Sequence, residues 1–309
     1  MPRALVITGR GEPPAVQEVA VADPGPGQVR VAVQAATVNG IDAFAAAGYV
    51  WDSMPHEFPV VLGRDFAGTV DAVGDGVTAV HIGDAVTGVV TALDLYVGVI
   101  AEHVLFDAAR VVRVPDGVTP QQAAAVGLAG VAAREVIDAL ALTADDVVLV
   151  SGATGGVGTL AVQLAATTGA TVLGTARPDF AASLSALGAE HTIDYTGDLA
   201  TAVDAAAPGG ITAVVHAAGD PLDLGRLLRP GGRLASIVGA TAEQVGRDDV
   251  TVIPVVAIDT VVKVHDLLDK VAAGDLEVPI AQTFRLEEAA TAVGAFGSPK
   301  FGKLVITIT

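Results

Sequence analysis

The order of apolar and polar positions divides the chain into three parts, and the first part, residues 1–116, reads as a series of short strands. Residues 28–33 (QVRVAV) alternate with the period of two that is typical of a half-buried strand. Further short runs at residues 68–74 and 83–88 begin and end at turn residues. Many short strands at close spacing predict a small barrel or a sandwich-like β domain.

The second part, residues 117–259, alternates apolar runs with amphipathic stretches. An amphipathic helix is predicted over residues 158–168, because Leu160, Ala161, Leu164 and Ala165 share one face. A strong turn, Arg-Pro-Gly-Gly-Arg, is predicted at residues 229–233. The candidate buried strands are Val147–Val150, Thr171–Thr175, Ala213–Ala217 and Leu234–Val238. This α/β alternation predicts a doubly wound parallel sheet, the Rossmann arrangement.

The third part, residues 260–309, returns to the pattern of the first part. A helix is predicted from Thr260 to Ala273, where Gly274 ends it, and a closing strand from Leu304 to Ile308. We expect this part to pair back with the N-terminal strands. A discontinuous β-rich domain, residues 1–116 and 260–309, would then flank a central domain of residues 117–259.

Composition narrows the classes of function. Apolar residues make up 51% of the 309 residues and charged residues 17%, which excludes a disordered chain. The net charge of −18 argues against nucleic acid and anionic membranes as partners. The chain has no cysteine, which excludes disulfides and thiolate zinc sites. No signal peptide and no membrane-spanning run is evident, so we expect a cytoplasmic protein.

A glycine-rich turn carries the most informative chemistry. Residues 147–158 read VVLVSGATGGVG, so an apolar strand runs into closely spaced glycines and then into the predicted helix. Such a turn presents backbone N–H groups at a helix N-terminus, where a pyrophosphate can bind without an intervening side chain. Strand, turn, helix and second strand follow in the required order, so the segment predicts dinucleotide binding.

The end of the second strand of this unit predicts which dinucleotide is bound. An NAD-specific site needs a carboxylate about 20 residues after the last glycine to bind the ribose hydroxyls. Here that region reads Gly-Thr-Ala-Arg at residues 174–177, with an arginine and no acid at the strand end. Arg177 can bind a 2′-phosphate with its charged fork, which favours NADPH. In the alternative interpretation Arg177 is a solvated loop residue and Asp179 binds the ribose.

Several short motifs occur in the order that is typical of one superfamily. They are FPVVLGRDFAGTV at 58–70, GDGVT at 74–78, GDAV at 83–86, AEHV at 101–104, VPDG at 114–117, GA at 188–189, IDY at 193–195 and GKLV at 302–305. With the glycine turn, they make the chain resemble the medium-chain dehydrogenase/reductase superfamily in its zinc-free quinone oxidoreductase branch. The resemblance implies a GroES-like catalytic domain from both chain ends, a Rossmann domain between them, and a homodimer.

The cysteine and histidine content of the sequence bears on whether zinc is bound. Zinc-dependent alcohol dehydrogenases of this superfamily use a cysteine and a Gly-His-Glu motif, whereas this chain has no cysteine and reads Gly63-Arg64-Asp65 at that position. The six histidines, at 56, 81, 103, 191, 216 and 265, show no ligand spacing. We therefore predict no metal site and interpret Arg64 and Asp65 as a structural ion pair. Without a metal to stabilise an alkoxide, simple alcohol oxidation is disfavoured.

The chemistry that remains is hydride transfer to a conjugated acceptor, a quinone or an α,β-unsaturated carbonyl, in which conjugation spreads the developing charge. By resemblance, Asn39 in the stretch TVNGID is the candidate active-site amide near the nicotinamide, and Asp42 supports the local structure. Tyr49, which follows Gly48, is a candidate hydrogen-bond or proton donor. The simpler alternatives are a turn residue for Asn39 and a pocket wall for Tyr49.

The remaining cofactor contacts also follow from the resemblance. The residues expected to line the pyrophosphate are Thr154, Gly155, Gly156 and Val157. The residues expected around the adenosine ribose and its phosphate are Thr175, Arg177 and Tyr195. The residues expected to flank the nicotinamide half are Ala217, Ala218, Val238 and Gly239.

Three functions fit these predictions. The first is an NADPH-dependent quinone or enone reductase. The second applies the same chemistry to a dedicated pathway, as an enoyl reductase of secondary metabolism that acts, for example, on polyketide intermediates. The third is a non-catalytic NADPH-binding protein. In the first two, the partner is a small-molecule substrate.

Overall fold

Two structural units make up the chain in a computed structural model that describes residues 1–257 and 260–309. Among these residues, the first unit comprises 1–128, 260–299 and 303–309, and the second comprises 129–257 and 300–302. The first junction therefore falls inside a long helix, after Leu128. The predicted end of the central domain, at residue 259, lies outside the described residues.

The strands, in chain order, are β1 (Arg3–Ile7), β2 (Ala15–Glu18), β3 (Gln28–Thr37), β4 (Val60–Val61), β5 (Asp65–Val73), β6 (Ala85–Val89), β7 (His103–Asp107), β8 (Val111–Arg113), β9 (Val147–Ser151), β10 (Thr171–Thr175), β11 (His191–Ile193), β12 (Ile211–His216), β13 (Leu228–Ser236), β14 (Thr251–Pro254), β15 (Ile280–Arg285) and β16 (Lys303–Thr307). The helices are α1 (Gly40–Ala46), α2 (Pro120–Leu140), α3 (Gly156–Ala166), α4 (Ala181–Ala186), α5 (Leu199–Ala206), α6 (Pro221–Leu227), α7 (Ala242–Val245), α8 (Thr260–Ala273) and α9 (Ala289–Gly294). Short 3-10 turns occupy Ala108–Arg110, Pro178–Phe180 and Leu286–Glu288.

The first unit is β-rich, as the short strands predict. Its larger sheet has the order β15-β16-β3-β5-β6-β8 with β7 also paired to β3, and a smaller sheet has the order β2-β1-β4. The closing strand β16 pairs antiparallel with β3, so that Val305 lies opposite Thr37. This pairing confirms the prediction that the C-terminal strand returns to the N-terminal sheet. Phe66 and Phe106 meet edge to face in the core, with ring centroids 5.1 Å apart.

The second unit is a six-stranded sheet in the order β11-β10-β9-β12-β13-β14, with every neighbouring pair parallel. This order is that of a doubly wound Rossmann sheet, so the predicted fold class is confirmed. The strand order reverses between β9 and β12, and ligands of such sheets bind beyond the carboxyl ends of the strands at that point.

One local prediction in this unit holds in part. The predicted turn at residues 229–233 lies inside β13, which begins at Leu228, and residues 229–232 leave the ladder between the pairs Ile211–Leu228 and Ala213–Arg233. Gly231 takes a left-handed φ of 79° inside the strand, and the register with β12 shifts between Ile211 and Ala213. The Pro-Gly-Gly signal therefore marks an irregularity within a strand, which glycine accommodates without steric cost.

Candidate functional site

The glycine turn has the geometry of an anion-binding cradle. Strand β9 ends at Ser151, and helix α3 begins at Gly156 after an extended Gly155 at its N-cap. Gly152 has a left-handed φ of 82°, which a side chain would strain. A Cβ at Gly158 would collide with the carbonyl oxygen of Gly152 and with Cα of Ala153. The first-turn amides of a helix have no partner within the helix, so those of α3 are available to bind an anion.

A segment from the far end of the chain completes this cradle. The Gly302 N–H donates to the carbonyl oxygen of Thr154 at 2.8 Å, and Gly302 pairs as a parallel bridge with Gly155. Phe301 stacks on Phe180 with ring centroids 6.0 Å apart. Residues 300–302 thus belong to the second unit, although the sequence pattern assigns them to the first. The local pattern gives no signal for this pairing.

The ends of β10 and β11 carry three predicted cofactor residues. The hydroxyl of Thr175 accepts the Gly152 N–H at 2.9 Å, and this hydrogen bond stabilises the glycine turn. Arg177 is exposed at the start of the 3-10 turn that follows β10. Tyr195, just past the end of the neighbouring strand β11, is 48% exposed. The side chains of Arg177 and Tyr195 are thus accessible beyond adjacent strand ends.

An acid that sequence reasoning missed lies near Arg177. Asp194 follows β11, and its carboxylate accepts the backbone N–H of Thr196 at 2.9 Å and the Thr196 hydroxyl at 2.7 Å. These hydrogen bonds are the main cause of its lowered pKa, and the positive charge of Arg177 contributes. Asp194 is therefore a second candidate, beside Asp179, for a hydrogen bond to a ribose hydroxyl.

The loops after β12 and β13 are tied together by a buried histidine and a serine. The Ser236 hydroxyl donates to Nδ1 of His216 at 3.1 Å and accepts backbone N–H groups from Val238 at 3.3 Å and Ala240 at 3.0 Å. Nε2 of His216 donates to the carbonyl oxygen of Gly219 at 3.2 Å. That oxygen can only accept, so Nε2 carries a hydrogen, and the Ser236 hydroxyl, which already accepts two N–H groups, has its own hydrogen to donate to Nδ1; these roles assign the neutral Nε2–H tautomer to His216. Burial lowers its pKa, which favours the neutral ring.

This pair fixes the two loops that contain the residues predicted beside the nicotinamide. Ala217 and Ala218 directly follow His216, and the Ser151 hydroxyl donates to the carbonyl oxygen of Ala218 at 2.7 Å. Val238 is 53% exposed although its backbone N–H is bound to Ser236. Gly239 follows it with a left-handed φ of 81°. The loop backbone is therefore anchored while the Val238 side chain remains accessible.

A second cluster, in the first unit, centres on the fully buried carboxylate of Asp65. Its Oδ2 accepts the Thr37 hydroxyl and Nδ2 of Asn39, each at 2.7 Å. Its Oδ1 accepts the backbone N–H of Leu128 at 2.6 Å. Helix α2 is kinked at Gly127, where φ is −48° and ψ is −106°, and a Cβ there would lie 2.7 Å from Oδ1 of Asp65. The carboxylate thus requires a glycine at the kink.

Lys303 brings a cation into the same cluster. Its Nζ donates to Oδ1 of Asn39 at 2.7 Å and to the carbonyl oxygen of Val38 at 3.1 Å, and lies 3.7 Å from Oδ2 of Asp65. Burial lowers the pKa of Lys303, and the negative charge of Asp65 opposes that shift. The partners are 264 residues apart in sequence, which explains why local patterns did not reveal the contact.

Asp42 has the supporting role that the sequence predicts. Its Oδ2 accepts the backbone N–H of Asn39 at the start of α1, and its Oδ1 accepts the N–H of Gly63, both at 2.8 Å. Burial raises its pKa to about 6, against the effect of these two hydrogen bonds. The carboxylate therefore links the start of α1 to the residues before β5.

The predicted ion pair between Arg64 and Asp65 is wrong. Arg64 is buried and donates instead to the carbonyl oxygens of Ala92 and Asp94, each at 2.7 Å. Arg64 directly precedes β5, and the carboxylate of Asp65 has its own partners, Thr37 and Asn39 among them. Burial lowers the pKa of Arg64, which is opposed by nearby carboxylates, Asp42 first. Its structural role is to hold the loop between β6 and β7.

Tyr49 lies apart from the buried cluster. Its side chain is 78% exposed, and its ring packs edge to face on Phe44 with centroids 6.4 Å apart. The residue follows Gly48, which has a left-handed φ of 87° at the end of the α1 segment. The phenol is accessible to a ligand, and the hydrogen bonds of the Asp65 cluster do not include it.

Two negative findings apply to residues 1–257 and 260–309. This part of the chain contains no group of three or more histidine, cysteine, aspartate or glutamate side chains arranged to hold a metal ion. None of its helices combines the length and the apolar character needed to cross a membrane.

Comparison with known proteins places these features in context. The chain matches the family described as "Alcohol dehydrogenase GroES-like domain" over residues 25–116 and the family described as "Zinc-binding dehydrogenase" over residues 156–258. It is 32% identical over 318 residues to a 2-haloacrylate reductase of Burkholderia sp, and the match covers 94% of each protein.

Two further similarities bear on function. A mycocerosic acid synthase-like polyketide synthase of Mycolicibacterium smegmatis is 32% identical over 318 residues, which cover 92% of this chain but only 14% of that much longer protein. The structure of a quinone oxidoreductase from Coxiella burnetii superposes with a TM-score of 0.90 at 28% identity, covering 100% of this chain and 99% of the other.

Proposed function

The chain belongs to the medium-chain dehydrogenase/reductase superfamily, and from that premise we propose that it is a zinc-independent, NADPH-dependent reductase of quinones or α,β-unsaturated carbonyl compounds. The observation that carries the proposal is the cradle at Gly152–Gly158, at the point of a Rossmann sheet where ligands bind. The exposed Arg177 at the end of β10 supports NADPH over NADH.

The residues present fit such a cofactor. At Gly158 there is no room for a Cβ, because the backbone of the turn already lies there. Without a side chain in the way, the backbone can approach a pyrophosphate closely. Thr154, Gly155, Gly156 and Val157 would hold that group, and Arg177 with Tyr195 the phosphorylated ribose. The loops anchored by His216 and Ser236 would hold the nicotinamide half. When bound, the cofactor supplies a hydride.

The side chains present favour a conjugated compound as the hydride acceptor. Arg64 stands where zinc-dependent relatives have a histidine ligand, and its guanidinium is used in binding two carbonyl oxygens. The chain must therefore stabilise developing negative charge with hydrogen-bond donors, which suffices where conjugation already spreads that charge. Asn39 is the proposed donor within the site, and Tyr49 a second donor from the exposed face.

A second function shares this chemistry. The similarity to a polyketide synthase over 92% of this chain favours an enoyl reductase that acts on intermediates of secondary metabolism. In that case the acceptor is a 2-enoyl thioester instead of a free quinone or enone. A non-catalytic NADPH-binding protein is the alternative that turnover would exclude.

The test is NADPH oxidation followed at 340 nm with three acceptors: 1,4-naphthoquinone, trans-2-hexenal and a crotonyl thioester. Turnover with the first two supports the general reductase, and turnover restricted to the thioester supports the enoyl reductase. Reactions without acceptor, and with Gly158→Val protein, whose cradle is blocked, are the controls. Tight NADPH binding without oxidation by any acceptor would contradict both enzyme functions.

The assembly and location are part of the proposal. We infer a homodimer that acts in the cytoplasm, on the resemblance to zinc-free quinone oxidoreductases. Light scattering of the purified protein at micromolar concentration distinguishes a dimer from a monomer of 30.8 kDa.

A further inference from the structure

Asn39 is the only asparagine in the chain, and both ends of its side-chain amide are bound. Nζ of Lys303 donates to its Oδ1 at 2.7 Å, and its Nδ2 donates to Oδ2 of Asp65 at 2.7 Å. An ammonium group only donates and a carboxylate only accepts, so these two partners determine which end of the amide is oxygen. The orientation of this amide is thus set by the fold.

We propose that Lys303 is a positioning residue that makes Asn39 a hydrogen-bond donor, and not an acceptor, toward the reacting molecules. Lys303 donates to Oδ1 and Asp65 accepts one N–H of Nδ2, so the group that this orientation provides for a ligand is the second N–H of Nδ2. The group that it recognises is therefore a carbonyl-type oxygen, on the acceptor or on the nicotinamide carboxamide. This inference rests on the proposed function, in which Asn39 lies at the site of hydride transfer.

The hydrogen-bond capacity of Nδ2 leaves one N–H for this role. One of its two hydrogens is directed to Asp65, and its contact with Thr37 is long, at 3.5 Å between Nδ2 and Oγ1. The Thr37 hydroxyl itself donates to Asp65 at 2.7 Å. Asn39 is 8% exposed, and its two hydrogen bonds to Asp65 and Lys303 restrict rotation of the amide.

Burying the charged side chains of Lys303 and Asp65 lowers the stability of the fold, which argues for a positioning role of this cluster. Lys303 is 5% exposed and Asp65 is fully buried, and removing two charges from water is expensive even when they attract each other. An apolar pair of similar volume would pack with less desolvation. Here Lys303 donates to the oxygen of the Asn39 amide and Asp65 accepts from its nitrogen. The ion pair therefore gives the amide a single orientation, which apolar side chains cannot do.

The experiment uses the single asparagine. Protein grown with [15N]asparagine shows one side-chain NH2 pair, from Asn39, in a proton–nitrogen correlation spectrum. In the wild type we expect one Hδ2 protected from exchange by Asp65 and the other exchanging faster. A shift of the second hydrogen with NADP+ alone identifies the carboxamide as its partner. A shift only after addition of an unreactive acceptor analogue identifies the acceptor.

The variant Lys303→Met keeps the side-chain length and removes the donor, and Lys270→Met on helix α8 is the matched control. In Lys303→Met, Asp65 can still protect one Hδ2, but Oδ1 has lost its donor, so we expect both Asn39 signals to shift and the difference in exchange rate to decrease. We expect kcat to fall by about 100-fold, the effect of losing one well-placed donor. The Kd of NADPH, from fluorescence titration, should stay within about threefold if the acceptor is the partner, and should rise by about 3- to 10-fold if the carboxamide is.

The outcomes separate the two proposals. Equal exchange of both Asn39 hydrogens in the wild type, or unchanged Asn39 signals in folded Lys303→Met protein, would overturn the positioning role. If Lys303→Met does not fold, the wild-type exchange pattern and its response to NADP+ decide. A wild type that oxidises no acceptor would overturn the proposed function, while the spectrum still reports whether Lys303 orients the amide.

Discussion

Removal of the Ser236 hydroxyl should loosen the loops proposed to hold the nicotinamide. That hydroxyl accepts the N–H groups of Val238 and Ala240 and donates to Nδ1 of His216. Ser236 is fully buried and His216 is 2% exposed, so in Ser236→Ala these three groups lose their partner in a largely dry region.

The magnitude follows from the groups left without partners. Each buried, unsatisfied polar group costs about 1–3 kcal/mol. Val238 is half exposed, so water can reach its amide, and the two remaining groups set a loss of about 2–6 kcal/mol in the free energy of unfolding. For a protein of this size that corresponds to a decrease of roughly 3–9 °C in Tm. In the variant, NADPH must order the loosened loops when it binds, which should weaken its affinity by about 5- to 30-fold.

The assay is thermal unfolding with and without NADPH, together with fluorescence titration of the cofactor. The control is Ser185→Ala, an exposed serine on α4 of the same unit. If Ser236→Ala matches this control in both Tm and Kd, the histidine–serine pair does not anchor these loops, and the reasoning is refuted.

Three further predictions concern single positions. Arg177→Ala should raise the Kd of NADPH by about 10- to 100-fold, because one charge-assisted contact with the phosphate is lost. The Kd of NADH should not change. An unchanged ratio of the two Kd values would reject the assignment of NADPH. Gly127→Ala should destabilise the protein by about 1–3 kcal/mol in urea unfolding, because its Cβ would lie 2.7 Å from Oδ1 of Asp65, whereas Gly209→Ala, where a Cβ meets nothing within 4 Å, should be neutral. Burial raises the pKa of Asp42 from its usual 3.8 to about 6, so the folded protein binds more protons between these values and this carboxyl's contribution to stability decreases as pH rises through 6. The free energy of unfolding of the wild type relative to Asp42→Asn should therefore decrease by about 2–3 kcal/mol from pH 4 to pH 7, and a pH-independent difference would disprove the raised pKa.

The parts of the fold that were predictable from sequence are those with local causes. The strand before Gly152, the helix after Gly156 and the buried runs of the parallel sheet are encoded in contiguous residues. Their order along the chain then limits the topology to few arrangements. The closing strand was predictable because residues 304–308, LVITI, are a short apolar run rich in β-branched residues.

The buried cluster was less predictable because its members are distant in sequence. Asn39 was identified by resemblance, but its partners Asp65 and Lys303 are 26 and 264 residues away. Arg64 and Asp65 were assigned to each other because they are adjacent, although Arg64 binds loop carbonyl oxygens and Asp65 binds the amide of Asn39. The rarity of asparagine in this sequence, and a lysine that begins an apolar strand, were the available signals.

The central claim is that this chain transfers a hydride from NADPH to a conjugated acceptor. The most direct measurement uses NADPH deuterated at C4, on each face in turn, with trans-2-hexenal and the crotonyl thioester as acceptors, and mass spectrometry of the products. The account predicts that one of the two labelled cofactors yields a product with one deuterium on the β-carbon. NADPH that binds but is oxidised by neither these acceptors nor 1,4-naphthoquinone would contradict the account.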